Sequence, residues 1–286
     1  MDSIDTRPDR AVGGQGATGT AAETPDRLLE VALGAARAAA AVHTAHHGRT
    51  RVADWSTKGL SDFVSHVDHE AEAEALRVIR SAYEHHRIMA EEGSPETPAA
   101  EAGEWRWIVD PLDGTTNFLH GYPEYCASVA VARGDELLAG AVVASARVEE
   151  YTAALGRGAR RNGEVIRVSS IDRLEHALIG TGYPFKALDR LPEYQAQFAR
   201  VLRSTSGIRR AGSAALDLCH VGAGWFDGFW ELYLAPWDIA AGSLVVLEAG
   251  GVITRLEAGG RLLAGGGYLA GNRAIHEQLG RVVRNG

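Results

Sequence analysis

The run Trp107-Ile108-Val109-Asp110-Pro111-Leu112-Asp113-Gly114-Thr115-Thr116-Asn117 restricts the fold of this chain more than any other segment. Its first residues are bulky and apolar and read as a buried strand. Proline cannot donate to a strand ladder, and glycine adopts backbone angles closed to other residues. The strand is therefore expected to stop at Pro111 and to turn sharply at Gly114. Asp110 and Asp113 then stand together at a strand end, beside the open amides of Gly114 and Thr115. Two carboxylates next to free N–H groups can hold hard cations and an anion side by side. The 34 glycines of the chain also point to tight turns and close backbone approach, and away from a helical bundle.

The rest of the chain supplies a sheet for that strand. Residues 1–23 are mostly Gly, Ala, Thr, Asp and Arg and read as a disordered tail. Thr24-Pro25 starts a helix that runs to about His47-Gly48. A second helix is expected over 68–86, with Ala71, Ala75, Leu76, Ile79 and Tyr83 as its apolar stripe. Strands are expected at 105–110, 125–132, 137–145, 151–154 and 165–168. Arg133-Gly134-Asp135 joins two of these as a hairpin. Beyond about residue 170, short strands at 177–181, 207–211, 226–231, 251–254 and 268–270 alternate with helices near 191–204, 213–223, 238–249 and 272–282. The division expected is an N-terminal α+β half over 24–170 and a C-terminal α/β half over 171–286.

Composition excludes some classes. The chain has 286 residues, 45% hydrophobic and 23% charged, which is ordinary for a soluble globular protein. A net charge of -8 without a dense basic face argues against general nucleic-acid binding. No apolar run is expected to reach the roughly 20 residues that cross a bilayer. The N-terminus lacks a charged-then-apolar leader, and Asp2, Asp5 and Asp9 argue against a transit peptide. Cys126 and Cys219 read as buried thiols in a reducing compartment, hence the cytoplasm.

Other acids echo the first pair. Asp238 stands in Leu234-Ala235-Pro236-Trp237-Asp238-Ile239-Ala240-Ala241-Gly242, at the start of a small-residue helix. Alone it reads as a helix cap. Glu91-Glu92 alone reads as surface, and Asp68 as the solvated face of a helix. Glu231 follows Phe229-Trp230 at a strand end and invites a partner.

Taken in order, Lys58, Asp62, Asp68, Glu91-Glu92, Asp110-Pro111-Leu112-Asp113-Gly114-Thr115-Thr116-Asn117, Gly212-Ser213-Ala214, Glu231, Trp237-Asp238 and Glu248-Ala249-Gly250-Gly251 resemble the inositol monophosphatase family. These are Mg2+-dependent, lithium-sensitive phosphatases. The resemblance covers nearly the whole chain beyond the tail. It implies a layered αβαβα sandwich, like that of the fructose-1,6-bisphosphatases, with the site between the two halves. It also implies two or three Mg2+ ions. Glu91, Asp110 and the Leu112 carbonyl would hold one, and Asp110, Asp113 and Asp238 a second. A weaker third would lean on Glu91 and water. All these donors are oxygens, which suits Mg2+ over zinc. Asp68 and Thr115, with Glu91, would serve the attacking water. Gly114 and Thr115 amides would grip the phosphate. Glu231 and Gly212-Ser213-Ala214 would meet the alcohol, with Glu92 and Lys58 in support.

The implied reaction is hydrolysis of a small phosphate monoester, with myo-inositol 1-phosphate or a related polyol phosphate as substrate. Histidinol phosphate, fructose 1,6-bisphosphate and 3′-phosphoadenosine 5′-phosphate are alternatives, separated by the rim at 181–186, 207–214 and 231–235. A non-catalytic binding protein on the same scaffold is a further alternative. The family implies a homodimer. His66 and Ala90 depart from the usual pattern, His66 reading as surface. The pairs His46-His47 and His85-His86 lack the partners of a transition-metal site. Gly13–Gly19 lacks the Lys-Ser/Thr ending of a phosphate-binding loop. Arg203, Arg209 and Arg210 form a small basic group that reads as solvated surface, or as a contact to a second phosphate or a dimer partner.

Overall fold

The computed structural model describes residues 23–49, 56–59, 62–93, 103–185, 187–257 and 259–284, with only the backbone described over 56–59 and 62–64. Residues 1–22 of the expected tail lie outside it. Helix α1 (Pro25–His46) begins as its sequence predicts, with Thr24 Oγ1 accepting from the Arg27 amide at 3.3 Å and proline in the first turn. Strands β1 (Ser56–Gly59) and β2 (Asp62–Val64) pair antiparallel. They carry Lys58 and Asp62, whose side chains are outside the described part. Helix α2 (His66–Ala82) starts two residues before the expected 68 and ends well short of 86. Ser65 is its cap, its Oγ accepting from the Val67 amide at 3.2 Å.

The larger sheet holds β3 (Arg87–Ala90), β4 (Trp105–Asp113), β5 (Cys126–Arg133), β6 (Glu136–Ala144), β7 (Glu149–Ala154), β8 (Gly158–Arg161) and β9 (Glu164–Val165), in that spatial order. All pairs are antiparallel except β3–β4. Strand β4 does not stop at Pro111. It runs on to Asp113, and its register against β5 slips between Asp110 and Asp113. The irregularity lets a residue without an N–H sit inside a central strand. Strand β9 (Glu164–Val165) overlaps the expected 165–168 only at Val165, and β3 and β8 were not anticipated. A five-residue helix, α3 (Thr115–Leu119), follows β4 directly.

The smaller sheet comprises β10 (Leu178–Thr181), β11 (Gly207–Arg209), β12 (Gly228–Leu234), β13 (Val252–Arg255) and β14 (Gly266–Gly271), in the order β11-β10-β12-β14-β13. Strand β10 runs parallel to β11 and β12, and the other pairs are antiparallel. Its helices are α4 (Leu191–Ser204), α5 (Ala214–Gly222), α6 (Pro236–Glu248) and α7 (Arg273–Arg284).

Five layers result. Helices α1 and α2 cover the outer face of the larger sheet, α5 and α6 lie between the sheets, and α4 and α7 cover the smaller sheet. This is the αβαβα arrangement implied by the resemblance. Close packing explains much of the Ala and Gly content. A Cβ on Gly140 of β6 would stand 3.0 Å from the Ala241 Cα of α6, so helix and sheet meet almost backbone to backbone. Helix α1 corrects one sequence expectation. Its 22 residues are long and apolar enough to cross a membrane by length and composition. In the fold, its face of Leu28, Val31, Ala32, Ala35, Ala36 and Ala39 is buried, and α1 packs on α2, β5 and β6. Both cysteines are buried free thiols, as expected.

Candidate active site

Chain direction brings the site together. The end of β4, the starts of α5 and α6, the loop after β10 and the later part of β12 meet around a cavity of about 330 Å3, a size that suits a small ligand. Glu91, Asp110, Leu112, Asp113, Gly114, Thr115, Gly212, Ser213, Ala214, Glu231 and Asp238 line it. All of these come from the acidic and glycine-containing motifs of the sequence. Asp68 is not among the lining residues and stands behind Thr115. Glu92 is also outside the lining, its amide donating to Glu72 Oε2 at 2.9 Å.

Each side chain is held by local backbone. Asp68 is the third residue of α2 and closes a reciprocal cap: the Ser65 amide and hydroxyl both donate to its Oδ2 at 2.8 Å. It is buried, not solvated as its helix position alone suggested. Its Oδ1 lies 3.0 Å from Thr115 Oγ1, which is also 3.0 Å from the Leu112 carbonyl. One hydroxyl proton serves only one of these acceptors at a time. Asp110 Oδ1 accepts from the Leu112 amide at 3.1 Å, which fixes the bend of the loop. Asp113 Oδ2 accepts from Ser213 Oγ and from the Ala215 amide, both at 2.7 Å. Asp238 Oδ2 accepts from the Ala235 amide at 2.6 Å, at the start of α6.

Two glycines are required by shape. Gly114 has φ +94°, and a Cβ there would come 2.8 Å from the Glu124 carbonyl oxygen. Its left-handed backbone makes the turn that exposes the next amides. Gly182 leaves room for the Glu231 carboxylate, which packs where a Cβ would stand.

The acids disturb one another. Burial pushes the Asp113 carboxyl up to about 6, against hydrogen bonds from Ser213 and Ala215 that favour the charged form. Burial raises Asp68 in the same way. Glu231 and Asp217 lie well above the ordinary carboxylate range, through burial first and then through neighbouring acids. In all, six carboxyl side chains line the cavity, with Arg210 as the one cationic residue among the described lining. A cluster so short of positive charge, and made of oxygen donors, fits hard divalent cations. No three of these groups are drawn into a finished coordination shell among the described residues. The hydrogen bonds above hold these carboxylates at the cavity wall.

Asp217 has no counterpart among the sequence candidates, and Arg210 reads there as solvated surface or as a contact to a second phosphate or a dimer partner. Asp217 sits one turn beyond Ser213 on α5, buried, with Oδ1 lacking a hydrogen-bond partner among the described residues. The spacing of four from the Ser213 cap was the available signal. Arg210 stands at the rim with Tyr183 and Phe185. Asn117, read only as part of the motif, is a staple: its Nδ2 donates to Glu124 O at 2.6 Å and to Ala211 O at 3.0 Å.

Five layers with an acidic strand end between two sheets make the αβαβα sandwich that the resemblance implies. The chain belongs to the inositol monophosphatase family, which it matches over residues 24–286. It is 42% identical over 254 residues to the protein named Nus factor SuhB of Pseudomonas aeruginosa, covering 88% of this chain and 94% of that one. It is 44% identical over 229 residues to an inositol-1-monophosphatase of Rhizobium meliloti, covering 80% and 85% respectively. Among solved structures it resembles the extragenic suppressor protein suhB of Bartonella henselae, with TM-score 0.83, 39% identity and 90% and 98% of the two chains covered. It also resembles the inositol monophosphatase of Anabaena, with TM-score 0.80, 34% identity and 91% and 96% covered.

Proposed function

We propose that this protein is a Mg2+-dependent phosphatase that hydrolyses a small phosphate monoester, myo-inositol 1-phosphate or a related polyol phosphate, by direct attack of water. The observation that carries the reading is the set of six carboxyls around one cavity at the end of β4, next to the Gly114 turn. Membership of the inositol monophosphatase family supports it. Glu91, Asp110 and the Leu112 carbonyl would hold one Mg2+, Asp110, Asp113 and Asp238 a second, and Glu91 with water a weaker third. When bound, these ions neutralise the phosphoryl oxygens and acidify the attacking water.

The protein's own groups do the rest. Thr115 Oγ1 and Asp68 Oδ1, 3.0 Å apart, form a relay that orients the water and takes its proton. Glu91 helps to position that water. The amides of Gly114 and Thr115 face the phosphate. Glu231 and the Gly212-Ser213-Ala214 turn hold the hydroxyls of the leaving alcohol. Glu92 and Lys58 support the metal ligands. No side chain need become phosphorylated. In this reading the two halves, 24–170 and 171–286, close on the substrate, and the protein is a lithium-sensitive cytoplasmic homodimer. It needs neither nucleic acid nor membrane. Histidinol phosphate, fructose 1,6-bisphosphate and 3′-phosphoadenosine 5′-phosphate are the competing substrates.

A second reading, a non-catalytic binding role on the same scaffold, is favoured by the Nus factor names of several relatives. The intact acidic set favours the enzyme. The test is phosphate release with Mg2+ from those four esters, by wild type and by Asp110→Asn. The phosphatase reading expects turnover of at least one ester by the wild type and none by the variant, with circular dichroism unchanged. A wild type that releases phosphate from none of the four refutes it.

A further inference from the structure

Arg210, the one cation among the described residues that line the cavity, is built into place. Arg210 lies between β11 and α5. Its guanidinium sits 5.0 Å from the ring centroid of Tyr183 and 4.9 Å from that of Phe185. These rings meet edge to face at 5.7 Å. Tyr183 in turn packs at 5.5 Å on Tyr194, which stacks at 6.0 Å on buried Trp230. The aromatic clamp is thus anchored in the core of the smaller sheet. On its other side, the Arg210 Nη1 occupies space that a Cβ on Gly212 would need, 2.7 Å away.

Among the described residues no carboxylate forms an ion pair with this charge. Arg147 also lies over an aromatic ring, that of Trp225, but pairs with Glu124 at 2.8 Å and Glu149 at 3.2 Å. Arg210 has no ion pair among the described residues, although it lines a cavity with six acids. It lines the cavity together with Asp217 and Glu231, and in the proposed function Glu231 meets the alcohol. A guanidinium held over two rings has already lost much of its rotational freedom, and its planar fork of donors matches a phosphate.

We propose that Arg210 is a specificity-determining residue that contacts a second phosphate on the alcohol part of the substrate. Polyol bisphosphates then bind this cavity more tightly than the corresponding monophosphates. The proposal rests on the phosphatase reading for the orientation of the substrate. The hydrolysed phosphate lies at the tip of β4 and the second one at the Tyr183–Phe185 rim.

The test compares inositol 1-phosphate with inositol 1,4-bisphosphate, on wild type, Arg210→Gln and Arg210→Lys, in the full chain with Mg2+. Steady-state phosphate release gives KM and kcat. Calorimetric titration on a Thr115→Val background gives Kd without depending on turnover. The wild type is expected to bind the bisphosphate more tightly. Arg210→Gln should raise KM and Kd for the bisphosphate by about ten- to a hundredfold, the loss of a charged hydrogen-bond partner. It should leave the monophosphate within about twofold, and kcat unchanged for both. Arg210→Lys should fall between. Equal shifts for the two esters, or none, overturn the proposal. Equal shifts accompanied by a change of mass in light scattering assign Arg210 to a subunit contact instead. If the wild type releases phosphate from neither ester, the inositol phosphates are not its substrates, the four-ester panel decides the phosphatase reading, and the calorimetric comparison still decides the Arg210 contact.

Discussion

Ser213 Oγ donates to Asp113 Oδ2 at 2.7 Å, joining the last residue of a strand in the larger sheet to the cap of a helix that packs between the sheets. The Ala215 amide donates to the same oxygen at the same distance. Asn117 adds a second tie across the gap, to Ala211 O at 3.0 Å. The two sheets therefore share their polar contacts at the cavity, and changes in the acids there are felt as changes in how the halves are held.

The Ser213 hydroxyl serves twice, because the Leu216 amide also donates to it at 3.3 Å. Ser213→Ala leaves a helix uncapped and removes a donor from a half-buried carboxylate. The expected cost is about 2–3 kcal/mol, the sum of a lost cap and a lost charged hydrogen bond. Urea unfolding of the metal-free protein measures it. A loss below about 0.5 kcal/mol would show that the contact contributes little.

Asp113 sets a pH dependence of definite sign. In the fold its carboxyl titrates at about 6, against 3.8 for an ordinary aspartate. Between those values the native state binds a proton that the unfolded chain has released. Metal-free stability from this group is full below 3.8 and is lost as pH rises through about 6. His43 and His220, lowered to about 4 by burial, act oppositely and lose stability as pH falls from 6.5 to about 4. They are common to wild type and Asp113→Asn and cancel in the difference. Without metal, Asp113→Asn should be about 2 kcal/mol more stable than wild type near pH 7.5, with the gap closing toward pH 4. Urea midpoints across that range check it, and a gap independent of pH would contradict the assignment.

Much of the site was readable because a few short strings carry it. Asp110, Asp113 and Gly114 belong to one turn, so local rules bring them together without knowledge of the sheet. Asp217 escaped for the opposite reason, and the sequence leaves Arg210 between a solvated surface and a contact to a second phosphate or a dimer partner. An acid inside a helix and an arginine after a strand look solvated until tertiary packing turns them toward a cavity. The same limit applies to β4. Proline ordinarily ends a central strand, and only the slipped register against β5, a long-range fact, lets this one continue to Asp113. Short β3 and β8 were missed because Arg87–Ala90 and Gly158–Arg161 hold too few residues to show a period, and their neighbours make them strands.

Crowded carboxylates also predict a response to metal. Without cations the raised acids oppose the compact state, and Mg2+ bound only to the native protein stabilises it by mass action. At about one hundred times its dissociation constant, Mg2+ should contribute about 2.7 kcal/mol. That corresponds to a rise of about 5 °C or more in melting temperature for a chain of this size. Chelation should reverse the rise, and Asp110→Asn should abolish it. Scanning calorimetry with and without Mg2+ provides the measurement. A melting temperature indifferent to Mg2+ would speak against the shared metal site.

The contact between Thr115 Oγ1 and Asp68 Oδ1, at 3.0 Å, isolates the proton-transfer step. Thr115→Val keeps the shape of the side chain and removes the hydroxyl. It should lower kcat by about a hundred- to ten-thousandfold, the usual range for a lost general-base path. Thr115→Ser keeps the hydroxyl and should stay within about tenfold of wild type. Asp68 retains both Ser65 donors in either variant, so the fold should hold, and the melting temperature checks that. Substrate affinity should change little in Thr115→Val, because the phosphate is expected to rest on backbone amides rather than on the hydroxyl. If Thr115→Val keeps kcat within tenfold, Asp68 and Thr115 do not form the relay, and the proton must leave by another carboxylate of the cavity.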